Sequence, residues 1–255
     1  MANDSIQRNT RWVQTFDRIL EMLNLDPDRP VSVLQIEDGR EVVVVQPNAF
    51  TISRIYATGR PDGMRPHGMD SYYDYFFAKL KTYEEEHNTH EGFQLESEEW
   101  EMLFEESFHR YTRYLLFAGI KRWKDVRRDT ATNIAVTNLA RQCAPSEIAW
   151  RSYQYKGYML MMHSIANAEL SLQEDDTTTA LQHIDTGIRQ IGEFCGECLR
   201  EEHGEAENIT RERYLSNLIE FRSDLESLDT EETDAESDEE DILAELERLL
   251  NEEDA

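Results

Sequence analysis

Three residues near the end of a predicted helix have side chains that bind zinc or exchange disulfides. Cys195 and Cys198 are separated by two residues, and His203 follows five residues later. This is the spacing of a metal-binding or redox pair. A thioredoxin-type site would need a preceding strand, however, and Cys143 is the only further cysteine. We therefore predict partly buried structural cysteines, and keep Cys195, Cys198 and His203 only as weak metal candidates.

A second candidate site is a loop between Thr58 and Met69 that contains three glycines and two prolines. Arg60, Arg65 and His67 stand in this loop, where guanidinium and backbone donors could bind an anion or another ligand. Asp70 would then cap the following helix. The alternative is a rigid corner between the sheet and the helices, in which the arginines form internal salt bridges.

One basic cluster interrupts an otherwise acidic chain. Its members are Lys121, Arg122, Lys124, Arg127 and Arg128, with Trp123 among them. A nucleic-acid site needs a basic face with aromatic side chains, but the net charge of -27 opposes this function. The cluster is therefore a candidate partner-binding site, which could receive the acidic tail of the same chain. Alternatively, it is a solvated helix face that pairs with neighbouring carboxylates.

The remaining titratable residues give no sign of catalysis. His109 and His163 lie among aromatic and methionine residues of predicted helices, which favours hydrogen-bonded core histidines over catalytic bases. His87 and His90 are expected on the surface, where a helix ends. The chain has no P-loop, Rossmann, zincin or serine-hydrolase motif. We predict no catalytic residue and no cofactor, and we favour a function other than enzymatic.

The charge of the chain indicates which partners are favoured. Asp and Glu number 53 against 26 Lys and Arg, and this excess repels nucleic acids and anionic membranes. We expect a basic protein as partner, without membrane association or direct nucleic-acid binding. The N-terminus has no signal-peptide core, no window approaches about 18 apolar residues, and the cysteines are few. These features predict a cytoplasmic protein.

The elements that position these residues begin with an N-terminal module, residues 1–69. From Asn9 to Leu25, apolar side chains recur at helical spacing. Two β-branched runs, 31–36 and 41–46, flank Asp38-Gly39, which predicts a hairpin. A third strand near 50–56 would complete a small antiparallel sheet.

Residues 70–228 form the second predicted domain, which is helical throughout. Apolar residues at spacings of three and four predict helices over 70–86, 97–119, 121–143, 145–173, 177–200 and 210–228. Pro145 would be the first residue of its helix. Two similar helix–turn–helix junctions, 115–134 and 169–188, favour tetratricopeptide-like packing over an irregular bundle. The predicted fold class is mainly α, with a small N-terminal β-hairpin or sheet module.

The third predicted region, 229–255, is an acidic tail. From Asp224 to Ala255 there are 16 acidic residues and one basic residue. So few apolar side chains predict disorder over most of this tail. Near its end, Leu246, Leu249 and Leu250 form a short helical stripe that could bind a partner.

Four segments resemble a family of bacterial proteins that carry a UVR motif, the helical hairpin of UvrB and UvrC. They are GRPDGMRPHGMDSYYDYF (59–77), FHRYTRYLLF (108–117), RDTATN (128–133) and YMLMMHSIANAELSL with the following ALQHIDTGI (158–188). The C-terminal LAELERLLNEEDA (243–255) is similar to the first half of the hairpin only. In this family the hairpin is thought to mediate protein contacts, so the resemblance implies a protein-binding role for the tail.

These observations favour a non-catalytic interaction or adaptor protein that uses a helical-repeat surface and an acidic tail. One alternative is an acidic nucleic-acid mimic that sequesters a DNA-binding protein. Another is an unrecognised enzyme or anion-binding protein whose site is the loop with Arg60, Arg65 and His67.

Overall fold

A computed structural model describes residues 18, 31–48 and 51–227 of the chain. Most of the predicted N-terminal helix, 9–25, lies outside these residues, apart from Arg18, which is helical and exposed. The predicted tail, 229–255, lies outside them entirely, together with Leu246, Leu249 and Leu250. The predictions for those segments therefore stay predictions.

The N-terminal sheet has three antiparallel strands in the order β1-β2-β3. They are β1 (Val31–Gln35), β2 (Glu41–Asn48) and β3 (Thr51–Tyr56). In the turn between β1 and β2, Gly39 adopts a φ of 83°, and the Asp38 carboxylate accepts a hydrogen bond from the Arg40 backbone at 3.0 Å. A side chain at position 39 would be strained in this conformation, so the glycine explains the turn. The predicted hairpin and third strand are both confirmed.

A loop from residue 57 to 71 leads from the sheet to the first helix and contains one short 3-10 turn, Pro66–Gly68. Gly63 adopts a φ of 78°, and a Cβ atom there would lie 2.1 Å from the Tyr56 ring. The next helix is capped by Ser71, whose side chain accepts a hydrogen bond from the Asp74 backbone at 3.0 Å. The prediction that Asp70 caps this helix is therefore wrong by one residue.

Seven helices follow the loop within the described residues. They are α1 (Tyr72–His87), α2 (Ser97–Gly119), α3 (Trp123–Cys143), α4 (Ser146–Tyr153), α5 (Lys156–Leu172), α6 (Thr177–Arg200) and α7 (Gly204–Ile209). A π-helical turn, Thr210–Leu215, joins α7 to further helical residues 216–227. The fold class is mainly α with a small N-terminal sheet, as predicted. None of the helices in the described part of the chain has both the length and the apolar character needed to cross a membrane.

Several predicted helix boundaries differ from the structure, among them the starts at residues 70 and 121, which lie at 72 and 123. The single helix expected over 145–173 is two helices, because the backbone turns at Gln154 and Tyr155. Pro145 is the N-cap of α4 rather than its first helical residue. The last helical segment begins at Gly204, earlier than the predicted residue 210.

The chain divides into two compact units, residues 1–125 and 126–255, with the boundary inside α3. The predicted domain boundary at residue 69 falls inside the first unit. The buried core of this unit includes Val43, Phe76, Trp100, Leu103 and Phe117. Each of these side chains is almost fully removed from water, which supplies the main driving force for folding.

The second unit is built around α5 and α6, which approach each other closely. Its core is a cluster of apolar side chains, whose buried members are Leu160, Met161, Ala168, Ala180, Ile184, Ile191, Cys195, Leu218 and Leu225. At Gly187 of α6, a Cβ atom would lie 2.6 Å from the Ser164 Cβ atom of α5. Glycine at this position therefore permits the close packing of the two helices.

Candidate functional site

The solvent-exposed side of α2 is divided along its length into an acidic half and an apolar half. We call this surface the α2 face. Its acidic half carries Glu98, Glu101 and Glu105 together with the apolar Met102, and its apolar half carries Phe108, Tyr111 and Leu115 together with Thr112 and Gly119. These residues recur at spacings of three and four, which places them on one side of a helix.

Phe108 is the most exposed of the large apolar side chains in the apolar half, with 63% of its surface accessible to water. Its ring centroid lies 6.2 Å from that of Tyr111. The Tyr111 ring packs edge-on against the buried Tyr114 at 5.5 Å. Phe108 therefore belongs to a chain of aromatic rings that begins in the core and ends at the surface. Leu115, 37% exposed, extends the apolar half by two turns beyond Phe108.

The opposite side of α2 is fixed by a buried carboxylate. Glu106 is fully buried, and its Oε2 atom accepts hydrogen bonds from Arg60 Nη1 at 3.2 Å and from the Tyr72 backbone at 2.8 Å. Its Oε1 atom accepts from Arg110 Nη2 and, at 3.4 Å, from the Tyr73 backbone. These four donors use the full accepting capacity of a carboxylate. Glu106 thereby attaches α2 to the first turn of α1 and to the preceding loop.

A second buried arginine holds the same loop. Arg113, 1% exposed, donates from Nη1 to the carbonyl oxygens of Tyr56 at 2.8 Å and Gly59 at 2.9 Å. Such charge-assisted hydrogen bonds are stronger than neutral ones. Because Arg113 and Glu106 fix the rotation of α2 about its axis, Phe108 and Leu115 must face away from the loop.

The three candidate residues of the loop have different environments. The Arg60 guanidinium is nearly buried and makes two hydrogen bonds to Asp62, at 3.0 and 2.6 Å. This hydrogen-bonded partner raises the pKa of Arg60 above its usual value. Arg65 forms an exposed ion pair with Asp70 at 2.9 Å, and the His67 ring stacks on Tyr75 at 3.9 Å.

Arg60 and Arg65 are thus directed to different places, one into the protein and one to its surface. Both arginines pair with carboxylates of the same loop region, as expected if the loop is a rigid corner between the sheet and the helices. Among the described contacts, none places the two guanidinium groups and the His67 ring around a common point where they could bind one ligand. The hypothesis of a ligand-binding loop stays a prediction that the geometry does not favour.

The basic cluster also has internal partners. Arg122 donates to Glu41 at 2.8 Å and to Asp125 at 2.6 Å, and these hydrogen bonds raise its pKa despite partial burial. Arg128 forms an ion pair with the buried Asp129 at 2.9 Å. The other members, Lys121, Lys124 and Arg127, are exposed, and Trp123 is half-buried. Two of the five cations therefore pair with neighbouring carboxylates, as the solvated-face alternative expects.

The cysteine candidates are buried and lie in α6. Burial raises the pKa of Cys195, and it raises the pKa of Cys198 to about 11. A thiol with such a high pKa is a poor nucleophile and a poor metal ligand at neutral pH. His203 stacks on the Trp150 ring at 3.5 Å. Within residues 31–48 and 51–227, no group of three or more potential ligands could hold a metal ion.

A polar network in the second unit escaped the sequence analysis. The Lys156 ammonium donates a hydrogen bond to the Tyr153 hydroxyl at 2.9 Å, and this hydroxyl donates to the Glu197 carboxylate. A tyrosine beside a lysine can act as a base, but only if its pKa is lowered. Burial and the neighbouring Glu197 raise the pKa of Tyr153 instead. Nothing in the spacing could show this network, because Glu197 is 44 residues away.

His163 is a half-buried histidine of the second unit. Its Nδ1 atom lies 3.0 Å from the Thr130 hydroxyl oxygen, and this hydroxyl donates to the Val126 carbonyl at 2.7 Å. Burial lowers the pKa of His163. A neutral, hydrogen-bonded imidazole among core residues has the environment predicted from the sequence.

Comparison of the chain with models of known protein families, with curated proteins and with solved structures gave no match. The resemblance to UVR-motif proteins and the tetratricopeptide-like packing therefore stay predictions.

Proposed function

We propose that this chain is a non-catalytic protein–protein interaction protein, with the α2 face as one binding surface. The observation that carries the proposal is the exposure of Phe108, 63%, together with that of Leu115 on the same side of the helix. Isolated exposed apolar residues are common on protein surfaces. A group of them on one rigid helix is more typical of a binding surface.

The size and rigidity of these side chains suit them for binding. Burying a phenylalanine or leucine side chain contributes about 1.5–3 kcal/mol. Phe108 lies beside Tyr111, whose ring packs edge-on against the buried Tyr114. A phenylalanine side chain has only two rotatable bonds, so ordering it on binding costs little conformational entropy. Aromatic side chains with this support commonly dominate the energy of an interface.

The charge of the chain supports a basic protein as the partner. The net charge is -27, and Glu98 and Glu105 lie in the acidic half of the α2 face. Carboxylates attract basic partners and increase their rate of association, and they repel nucleic acids and anionic membranes. We assign the protein to the cytoplasm, and we assign to its acidic tail, with Leu246, Leu249 and Leu250, a second contact with partners.

Affinity capture from the native lysate tests the proposal. The full-length chain would be compared with Phe108→Ser and with the control Ile219→Ser, which removes a side chain that is 52% exposed in the second unit. We expect the wild type and Ile219→Ser to capture the same proteins, and Phe108→Ser to lose some of them. Identical captures by all three proteins would contradict a binding role for the α2 face.

Washing the captured proteins at low and high salt separates the two kinds of contact. Partners held by the acidic groups should be lost as salt increases, because screening weakens exposed charge pairs. Partners held by Phe108 should remain in high salt. A loss of every partner at high salt from the wild type would reduce the proposed role of the apolar half.

A further inference from the structure

The order of residue types along α2 defines the partner more closely than its charge does. The exposed carboxylates of α2, Glu98, Glu101 and Glu105, all lie in residues 97–105, with Met102 as the apolar residue among them, and exposed apolar residues without carboxylates follow from Phe108 to Leu115. An ordinary amphipathic surface would instead carry charged and apolar residues on different sides of the helix along its whole length. The separation on α2 is along the axis of the helix.

We infer that the α2 face binds a helical segment of a partner protein in which an apolar block and a basic block follow each other along one side of the helix. The apolar block would contact Phe108 and Leu115, and the basic block would contact Glu98 and Glu105. This inference rests on the proposed function and names the kind of partner that the same surface takes.

Glu98 and Glu105, at the two ends of the acidic half, can accept cations from outside the chain. Among residues 31–48 and 51–227, no ion-pair partner is found for Glu98 or Glu105. Their neighbour Glu99, by contrast, forms an ion pair with Lys79 at 2.9 Å. Two exposed carboxylates, about two helical turns apart on the same side of α2, are therefore available to pair with the lysines or arginines of a partner.

The length of the face sets the length of the partner segment. The segment from Glu98 to Leu115 has 18 residues, and its end residues lie about 26 Å apart along the helix axis at 1.5 Å per residue. A partner helix of about 18 residues would cover the face from end to end. A shorter segment centred on Glu105 and Phe108 would contact both halves but would leave Glu98 and Leu115, at the ends of the face, uncovered.

Two synthetic helical peptides of about 18 residues test the inference. Both contain equal numbers of leucine and lysine on one side of the helix, with alanine and glutamine elsewhere. In the block peptide all leucines precede all lysines, whereas in the interleaved peptide they alternate. Fluorescence anisotropy measures the affinity of each for the full-length protein. We expect the block peptide to bind at least about tenfold more tightly.

Variants of the protein test whether the preference for the block peptide arises from the α2 face. Phe108→Ser should reduce the affinity for the block peptide about tenfold, and Ile219→Ser should leave it within about twofold. The paired substitution Glu98→Gln with Glu105→Gln should reduce the dependence of this affinity on salt. Circular dichroism of each variant checks that the helices are retained.

Four results would overturn the inference. They are equal binding of the two peptides, equal loss on Phe108→Ser and Ile219→Ser, binding of neither peptide, and dissociation of a homodimer by Phe108→Ser in sedimentation experiments. Binding of neither peptide would be expected if residues 1–30 of the same chain occupied the face. If lysate capture depends on Phe108 while the peptides bind equally, the proposed function stands and this inference fails.

Discussion

Replacing Glu106 by glutamine keeps the shape of a buried side chain and removes its charge. The carboxylate accepts four hydrogen bonds, two from arginines and two from the backbone at the start of α1. In the variant, an NH2 group takes the place of one oxygen, so two of the four donors lose their acceptor. The Nη1 atom of Arg110 already has no hydrogen-bond partner among the described residues. In the variant, the positive charge of Arg110 also loses the negative charge of Glu106 that balances it.

The expected cost follows from these contacts. Removing one partner of a buried ion pair commonly costs about 3–5 kcal/mol, because the remaining charge is left buried. Arg60 keeps its two hydrogen bonds to Asp62, which places the expected loss near the lower end of this range. The loss is large compared with the free energy of unfolding of a typical domain, about 5–15 kcal/mol.

Urea unfolding of the full-length protein, followed by circular dichroism, measures the loss of stability. Glu105→Gln is the matched control, since it makes the same chemical change at the next residue, which is exposed. We expect this control to change the free energy of unfolding by less than about 0.5 kcal/mol. Amide hydrogen exchange in α2 would locate the loss in the first unit. Equal stability of Glu106→Gln and Glu105→Gln would refute the role of Glu106.

Two further predictions concern the second unit. Gly187→Ala should lower the free energy of unfolding by about 1–3 kcal/mol, because the added Cβ atom would overlap the Ser164 side chain. Gly192→Ala is the control, since a Cβ atom at that position of the same helix would meet open space. Equal urea midpoints of the two variants would contradict the close packing of α5 and α6. Burial lowers the pKa of His163 below 6.5, so the unfolded chain binds the proton more readily. Stability should fall as the pH drops below about 6.5, and His163→Gln should reduce this fall; an unchanged pH dependence would exclude His163 as its source.

Local residue patterns predicted much of the fold. The hairpin was predictable from Asp38-Gly39 between β-branched runs, because only a few residue types readily adopt the positive φ of a tight turn. The limits of α2 and α6 agree with the predicted ones, since apolar spacing and polar flanking residues both mark them. The break between α4 and α5 was missed because the apolar spacing continues through Gln154 and Tyr155 without glycine or proline.

The candidate site was less predictable than the fold. Sequence reasoning selected Arg60 for its charge and its place in a loop of glycines and prolines, but its partner Glu106 lies 46 residues away and only the tertiary structure brings the two together. The exposure of Phe108 was equally hidden, because α2 carries apolar residues on more than one side. Its spacing alone cannot tell which aromatic residues face the core and which face water.

Site-specific photocrosslinking in the cells that produce the protein tests the central claim most directly. A photoreactive benzoylphenylalanine would replace Leu115 on the α2 face in one variant and Ile219 in a control variant. The account predicts a discrete adduct with another protein from position 115, reduced when the block peptide is added to a lysate, and none from position 219. Adducts of equal yield from both positions, or none from position 115, would contradict it.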